Sequence, residues 1–277
     1  MNPLVTNMTR KLAACASALI LCAGCDSATE GSGSGSGQLV VQLTDAPIDN
    51  LQSATIWVSR VYLFGNGDSS RHYVVMSTPQ QYDLLTLTNG VTVALGTVTI
   101  PTGQYNQMRF LVDSARVTLK PGMTFSDGSS SKLMKTPSAQ QSGIKVNFSG
   151  PVNVTVGQTI LVVDFDVSRN FVFTGPKALP TGVLFKPVLH ASVRDVAGSI
   201  SGTVTPLNSR AQVYAIMNGD TVTSALADSV TGTYKLWYLP PGIYSVGVSA
   251  TGLVSQSAVT PVADGQGVAN VNFALIP

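Results

Sequence analysis

Asp164 and Asp166, in the stretch ILVVDFDVS, are the residues of this chain best spaced to do chemistry. On a strand, Leu161, Val163, Phe165 and Val167 share one face, while Ile160, Val162, Asp164, Asp166 and Ser168 share the other. Carboxylates at i and i+2 stand roughly 6–7 Å apart, close enough to converge on one hard cation such as calcium. Asp45 and Asp49 in LTDAPID would supply further oxygens. The same acids could instead pair with Arg109, Lys145 or Arg169, or cap loops as in Asp45-Ala-Pro; no D-x-[DN]-x-[DN]-G loop surrounds them. A metal-dependent hydrolase using Asp45, Asp49, Asp164 and Asp166 is therefore one alternative function. The rest of the chain offers catalysis little. Of the two histidines, His72 follows a Gly/Ser turn as a surface residue, and His190 sits between apolar neighbours in KPVLHASV. Neither H-E-x-x-H nor G-x-S-x-G occurs. No catalytic residue is assigned, the chain reads as a non-enzyme, and calcium is the one cofactor considered. Trp57 and Trp237 offer flat rings on which a pyranose could stack, although single tryptophans more often pack into cores.

The elements that must position these residues are strands. Val, Thr, Ser and Gly are abundant and runs of helix formers are rare. From Gln38 onward, short alternating or apolar runs recur between turn signals. The expected strands are 38–45, 54–64, 72–77, 91–100, 104–113, 116–120, 145–149, 159–168 and 183–193; TPQQYDLLTL (78–87) has room for one short helical turn. A second pattern begins near Val196, with GSISGTVT, AQVYAIM, TYKLWYLPPGIYSVGV and VANVNFALI. IPTGQYNQMRF (100–110) and LPPGIYSVGV (239–248) repeat an apolar residue, Pro, Gly and Tyr at one spacing. This is either a common turn-then-strand device or a sign that both domains are immunoglobulin-like. The fold class is all-β: two β-sandwich (immunoglobulin/transthyretin-like) domains after a signal peptide and a flexible tether.

The first segment sets location. Arg10-Lys11 precedes the apolar run 12–24. That run is roughly 20 Å long as a helix, too short for a hydrocarbon core of ~30 Å. A basic start, a short apolar core and small residues before a break read as a secretory signal. Leu21-Cys22-Ala23-Gly24-Cys25 resembles the lipobox of bacterial lipoproteins, in which the cysteine is acylated and becomes the mature N-terminus. Cys22 stands where that box usually has Leu. The resemblance implies cleavage before Cys25, lipid on Cys25 and a bacterial cell-envelope location. The anchor would be in the inner or outer membrane, with the body in the periplasm or at the cell surface. The alternative is an ordinary cleaved signal and a secreted protein. Residues 26–37, DSATEGSGSGSG, form a tether with a mean reach of roughly 20 Å.

The formal charge of +2 comes from 16 basic and 14 acidic residues. Losing Arg10 and Lys11 with the signal makes the mature chain neutral. A neutral chain without a basic stripe argues against nucleic acid as a partner. All three cysteines lie at or before Cys25, so no disulfide or zinc site holds the folded part.

QLVVQLTDAPID, YDLLTLTNG, IPTGQYNQMRF, TPSAQQSGIKV and VVDFDVSRN follow one another in order. As a set they resemble the bacterial lipoprotein family called domain of unknown function 4382, over about 38–195. The G-T-Y-K-L and L-P-P-G-I-Y-S-V motifs of 196–277 resemble the carboxypeptidase regulatory-like (transthyretin-type) domain, whose members usually act as accessory or binding modules. The expected organisation is a lipoprotein signal (1–24), a lipidated Cys and tether (25–37), and sandwich domains at 38–195 and 196–277. The expected function is a non-enzymatic, lipid-anchored envelope protein with a binding, adhesive or structural role. Its partners would be the membrane, through Cys25, and a protein or glycan of the envelope; a carbohydrate-binding accessory protein is the other alternative.

Overall fold

The computed structural model describes residues 35–65, 68–136 and 141–277; the expected signal, Cys25 and nearly all of the tether lie outside them. Residues Ser34–Pro277 form one compact unit. It contains two apolar cores.

The first core is wrapped by β1 (Ser36–Thr44), β2 (Leu51–Gly65), β3 (Asp68–Met76), β4 (Gln80–Asp83), β5 (Val93–Pro101), β6 (Gly103–Leu119), β7 (Ser131–Lys135), β8 (Ile144–Phe148), β9 (Val152–Val154), β10 (Gly157–Asp164), β11 (Phe171–Thr174), β12 (Gly182–Phe185) and β13 (Leu189–Val193). One mixed sheet runs β3-β2-β6-β8-β13-β10-β1-β5, with β4, β7 and β9 attached to β2 and β6. β11 and β12 form a separate hairpin. The long sheet rolls until its edges meet. At Gly96 in β5 an added Cβ would lie 2.2 Å from the Val75 carbonyl in β3, so only glycine permits this approach. Both layers of the larger body thus belong to a single sheet.

Alternation builds the core. Leu39, Val41 and Leu43 of β1 point inward and are fully buried. In β2 the inward residues are Ala54, Ile56 and Val58, then Val61 and Leu63; in β6 they are Met108, Phe110 and Val112, then Ala115, Val117 and Leu119. The parity changes in both strands where their pairing slips between Trp57 and Arg60. An extra residue there flips every later side chain to the opposite face. The expected strands 104–113 and 116–120 are therefore one strand bent at a bulge. Each fully buried Val, Leu, Ile, Met or Phe among them contributes about 1.5–3 kcal/mol.

The second core lies between two four-stranded sheets built from β14 (Gly198–Thr205), β15 (Gln212–Met217), β16 (Asp220–Leu226), β17 (Thr233–Leu239), β18 (Gly242–Ser249), β19 (Gln256–Val262), β20 (Gly267–Val268) and β21 (Phe273–Ala274). One sheet is β17-β14-β20 with β21 beside β14; the other is β16-β15-β18-β19. Pro240-Pro241 carries the chain from the first to the second. The repeated Pro/Gly/Tyr spacing has one physical purpose in both bodies. Tyr105 donates its hydroxyl to the Pro101 carbonyl at 2.8 Å, and Tyr244 donates to the Pro240 carbonyl at 2.6 Å. Each tyrosine ties its strand back to the corner that launched it.

Candidate functional site

β10 ends at Asp164, four residues earlier than the expected strand 159–168. Asp166 takes a left-handed φ of 42° and opens a one-turn helix, Val167–Asn170. The two acids therefore do not share a strand face. They meet because the chain folds over: Asp164 Oδ1 accepts from the Asp166 N–H at 3.1 Å. Asp45 joins from the end of β1, accepting from the Val167 N–H at 2.8 Å. Asp45 and Asp166 are buried, and each keeps one carboxylate oxygen, Oδ2, without a hydrogen-bond partner.

Their lid is the second β body. Ser224 of β16 donates to Asp166 Oδ1 at 3.2 Å and lies 3.0 Å from the Ser168 hydroxyl, which also bonds Asp166 Oδ1 at 2.5 Å. The Thr223 side chain bonds Asp164. Gln212 reaches both Ser224 Oγ, at 3.0 Å, and the Pro47 carbonyl, at 3.3 Å. On the other flank the Thr88–Val91 turn, with Asn89 and Gly90 both at positive φ, lays Gly90 against the Trp237 ring. Tyr238 donates to the Gly90 carbonyl at 2.7 Å. The seam between the bodies is thus a polar hydrogen-bonded joint with carboxylates beneath it.

Burial away from water disfavours charge on these acids. Burial, then the nearby Asp164 and Asp166 charges, push Asp45 well above the ordinary carboxylate range, against bonds from the Val167 and Ala46 N–H groups. Burial also raises Asp166, opposed by Ser168 and Ser224. Burial and the neighbouring Asp166 raise Asp164 to about 7. A proton on such a carboxyl restores neutrality, and the unpartnered Oδ2 atoms are where it can reside. His190, beside Asp164 in the ladder, is lowered by burial.

The four aspartates expected to supply oxygens to calcium divide three and one. Asp49 is drawn to the surface by Lys120 Nζ, at 3.2 Å, and by Arg210 Nη2. Among the described residues no three His, Cys, Asp or Glu side chains are grouped to hold a metal ion. The hydrolase alternative loses its four-carboxylate geometry for the same reason. Arg109 and Lys145 lie on a different part of the sheet, facing each other across β6 and β8. Each tryptophan has a cation over its ring: Arg116 at 5.5 Å from Trp57, and Lys235 at 3.5 Å from Trp237. Trp237 also holds the seam. It borders a cleft of about 780 Å³, with Asp49, Asn89, Arg210, Lys235 and Asn270 among the walls. Ser224, Thr223 and Gln212 were not anticipated from sequence; they are ordinary strand residues until the second body docks.

Residues 36–180 match the family model described as Domain of unknown function (DUF4382). The chain belongs to the DUF4382 family. The matched segment ends before β12, so β13, which lies between β8 and β10 in the DUF4382 sheet, falls outside it. A search of curated proteins found no match. Among solved structures, the Bacillus anthracis TIE protein is 11% identical at a TM-score of 0.24, covering 87% of this chain and 34% of its own. This chain thus spans about a third of the TIE protein's length. The C-terminally truncated tip fimbrial protein Mfa3 from Porphyromonas gingivalis is 10% identical at a TM-score of 0.19, covering 83% of each chain. BcpA, the major pilin subunit of Bacillus cereus, is 10% identical at 0.21, covering 87% of this chain and 69% of its own. No helix among the described residues is long and apolar enough to cross a membrane.

Proposed function

We propose that this DUF4382 protein is a non-enzymatic, lipid-anchored cell-envelope protein whose two docked β bodies present a binding or adhesive surface. The observation that carries the reading is the polar seam. Gln212, Ser224, Tyr238 and Arg210 each bond residues of the first body directly, so both bodies offer a fixed surface rather than a swinging pair. The lipobox-like LCAGC and the Ser/Gly tract stand immediately before β1, in position to hold that surface near a membrane. Residues 196–277 serve as the accessory module, a carboxypeptidase regulatory-like sandwich. Lipid on Cys25 would anchor through two or more chains, since one acyl chain binds only marginally.

Metabolic labelling with an alkynyl fatty acid, followed by membrane fractionation, tests the anchor. The wild-type protein is expected to carry label and sediment with membranes; Cys25→Ser is expected to lose both. A Cys25→Ser protein that still labels and sediments would refute the assignment.

A further inference from the structure

Away from the seam, the outward face of the larger sheet carries an aromatic and cationic strip. Beyond the bulge, Arg60, Tyr62 and Phe64 of β2 point outward. Tyr62 stands opposite Arg109 of β6 and Val74 of β3, and Phe64 stands opposite Gln107 and His72. Arg109 in turn faces Lys145 of β8. Residues in register share a sheet face, so these side chains form one surface.

The rings touch one another. Tyr62 and His72 meet edge to face with centroids 5.0 Å apart, and Phe64 lies 5.9 Å from His72. They line an open groove of about 440 Å³ together with Arg109, Gln107 and Leu111, a volume within the usual range for ligand sites. Arg109 is held in place. Its Nη1 donates to the Ser142 carbonyl at 2.5 Å, and with the amide of Gln107 turned to satisfy both atoms, Nε and Nη2 donate to Gln107 at 2.7 and 3.1 Å. Arg60 bonds the Tyr62 hydroxyl at 2.7 Å with its guanidinium over that ring.

Among the described residues no carboxylate forms a salt bridge with Arg60, Arg109 or Lys145; the ion pairs involve Lys120, Lys132 and Arg210. Asp113, the acid further along β6, accepts from Ser59 Oγ at 2.9 Å. Three cations without salt bridges beside the half-buried Tyr62 and Phe64 rings and the exposed His72 complement a ligand that has both negative charge and flat apolar faces.

We propose that this strip binds an acidic glycan, with sugar rings lying against Tyr62, Phe64 and His72 and uronate carboxylates paired with Arg109, Lys145 and Arg60. The inference rests on the binding-surface reading above and names its ligand class. The guanidinium N–H groups not used by Gln107, Ser142 and Tyr62 can make charge-assisted hydrogen bonds to a carboxylate, and Tyr62 and Phe64 supply stacking area. A single-stranded nucleic acid would need a longer basic track than three cations on a chain that is neutral once mature.

The test is affinity electrophoresis of the full-length protein, extracted in mild detergent, through gels containing polygalacturonate or its methyl ester. The ester keeps the backbone and removes the charge. Polygalacturonate is expected to retard the protein, the ester to retard it far less, and 0.3 M salt to weaken the effect. Arg109→Gln and Tyr62→Ala are each expected to weaken binding about tenfold, while Val259→Ala, at an exposed position of β19 in the second body, leaves it unchanged. Arg60→Gln with Lys145→Gln, both exposed positions, carries the test if Arg109→Gln disturbs folding as judged by circular dichroism. No retardation by polygalacturonate, alginate or hyaluronan would overturn the proposal. Equal retardation by the ester, or tighter binding of a 20-residue oligothymidine, would overturn it too. Fatty-acid labelling at Cys25 is read separately, so the anchor can stand if the ligand assignment falls.

Discussion

Asp164→Asn should remove a pH-dependent loss of stability that the seam imposes between about pH 4 and pH 7. Burial first, then the neighbouring Asp166 charge, raise the Asp164 carboxyl from 3.8 to about 7, against bonds from Thr223 and the Asp166 N–H that favour its ionised form. The folded protein therefore holds a proton that the unfolded chain has released. Where the folded state binds more protons, stability falls as pH rises; it is fully present below about pH 4 and levels off above pH 7. A shift of about three units at 1.36 kcal/mol each sets a ceiling of about 4 kcal/mol for this residue. Asp45 and Asp166 move in the same direction, so the three share the protons and the slope belongs to the cluster. His190 opposes it. Its pKa is lowered by burial, so its contribution is lost as pH falls through the folded value. Asp220 and Arg169 are the charges that act on His190, so the difference between Asp164→Asn and wild type reads what the Asp164 carboxyl adds to the acid cluster. Urea unfolding from pH 4 to pH 8 is the assay. Asparagine should be neutral at pH 4 and stabilising by about 2–4 kcal/mol at pH 8, or roughly 5–10 °C in Tm. A difference that does not change with pH, or a wild type that gains stability from pH 4 to pH 7 relative to the variant, would refute the reasoning.

Gly90→Ala should loosen the second body. Gly90 has φ 82°, and an added Cβ would lie 2.9 Å from two ring atoms of Trp237. Left-handed strain and the clash together cost about 2–3 kcal/mol, read as faster hydrogen exchange along β17 while β2 and β6 keep their protection. Tyr244→Phe removes a bond from a fully buried hydroxyl and orphans the Pro240 carbonyl, a loss of about 1–3 kcal/mol by chemical denaturation. Tyr105→Phe removes the equivalent bond at a partly buried site and should cost less, about 0.5–1.5 kcal/mol; equal losses would argue against burial as the cause of the difference.

Much of the architecture was legible because period-two patterning is local. QLVVQLT, SATIWV and GIYSVGV state which residues face inward, and Asn89-Gly90 and Pro240-Pro241 announce their turns without tertiary help. What escaped was the geometry that depends on a partner strand. The bulge at Trp57–Arg60 is a slip between β2 and β6, and it reads as a strand break in one sequence and as nothing in the other. Pro187 cut the expected strand 183–193 into β12 and β13, consistent with a missing ladder donor. The short strands β4, β7 and β9 have little apolar alternation of their own; they form because β2 and β6 are long enough to offer spare edges.

The site was half legible for a related reason. Alternation correctly marked Asp164 as leaving the core pattern, but it put Asp166 on the same strand face because nothing in DFDVS announces that Asp166 will adopt φ 42°. The acids converge through that turn and through Asp45 at the end of the parallel neighbour β1. Asp49, only four residues further on, is pulled away by Lys120 and Arg210, distant in sequence. The cationic strip was invisible for the opposite reason. Arg60, Tyr62 and Phe64 look like the polar half of an amphipathic strand interrupted by aromatics, and Arg109 and Lys145 look like partners for acids. Only the order β3-β2-β6-β8 brings rings and cations onto one face, while the second body covers Asp164, at the end of β10 two strands beyond β8, and Asp166 just after it. Strand order, with β13 between β8 and β10, keeps the acids apart from Arg109 and Lys145, and the docked second body then buries them.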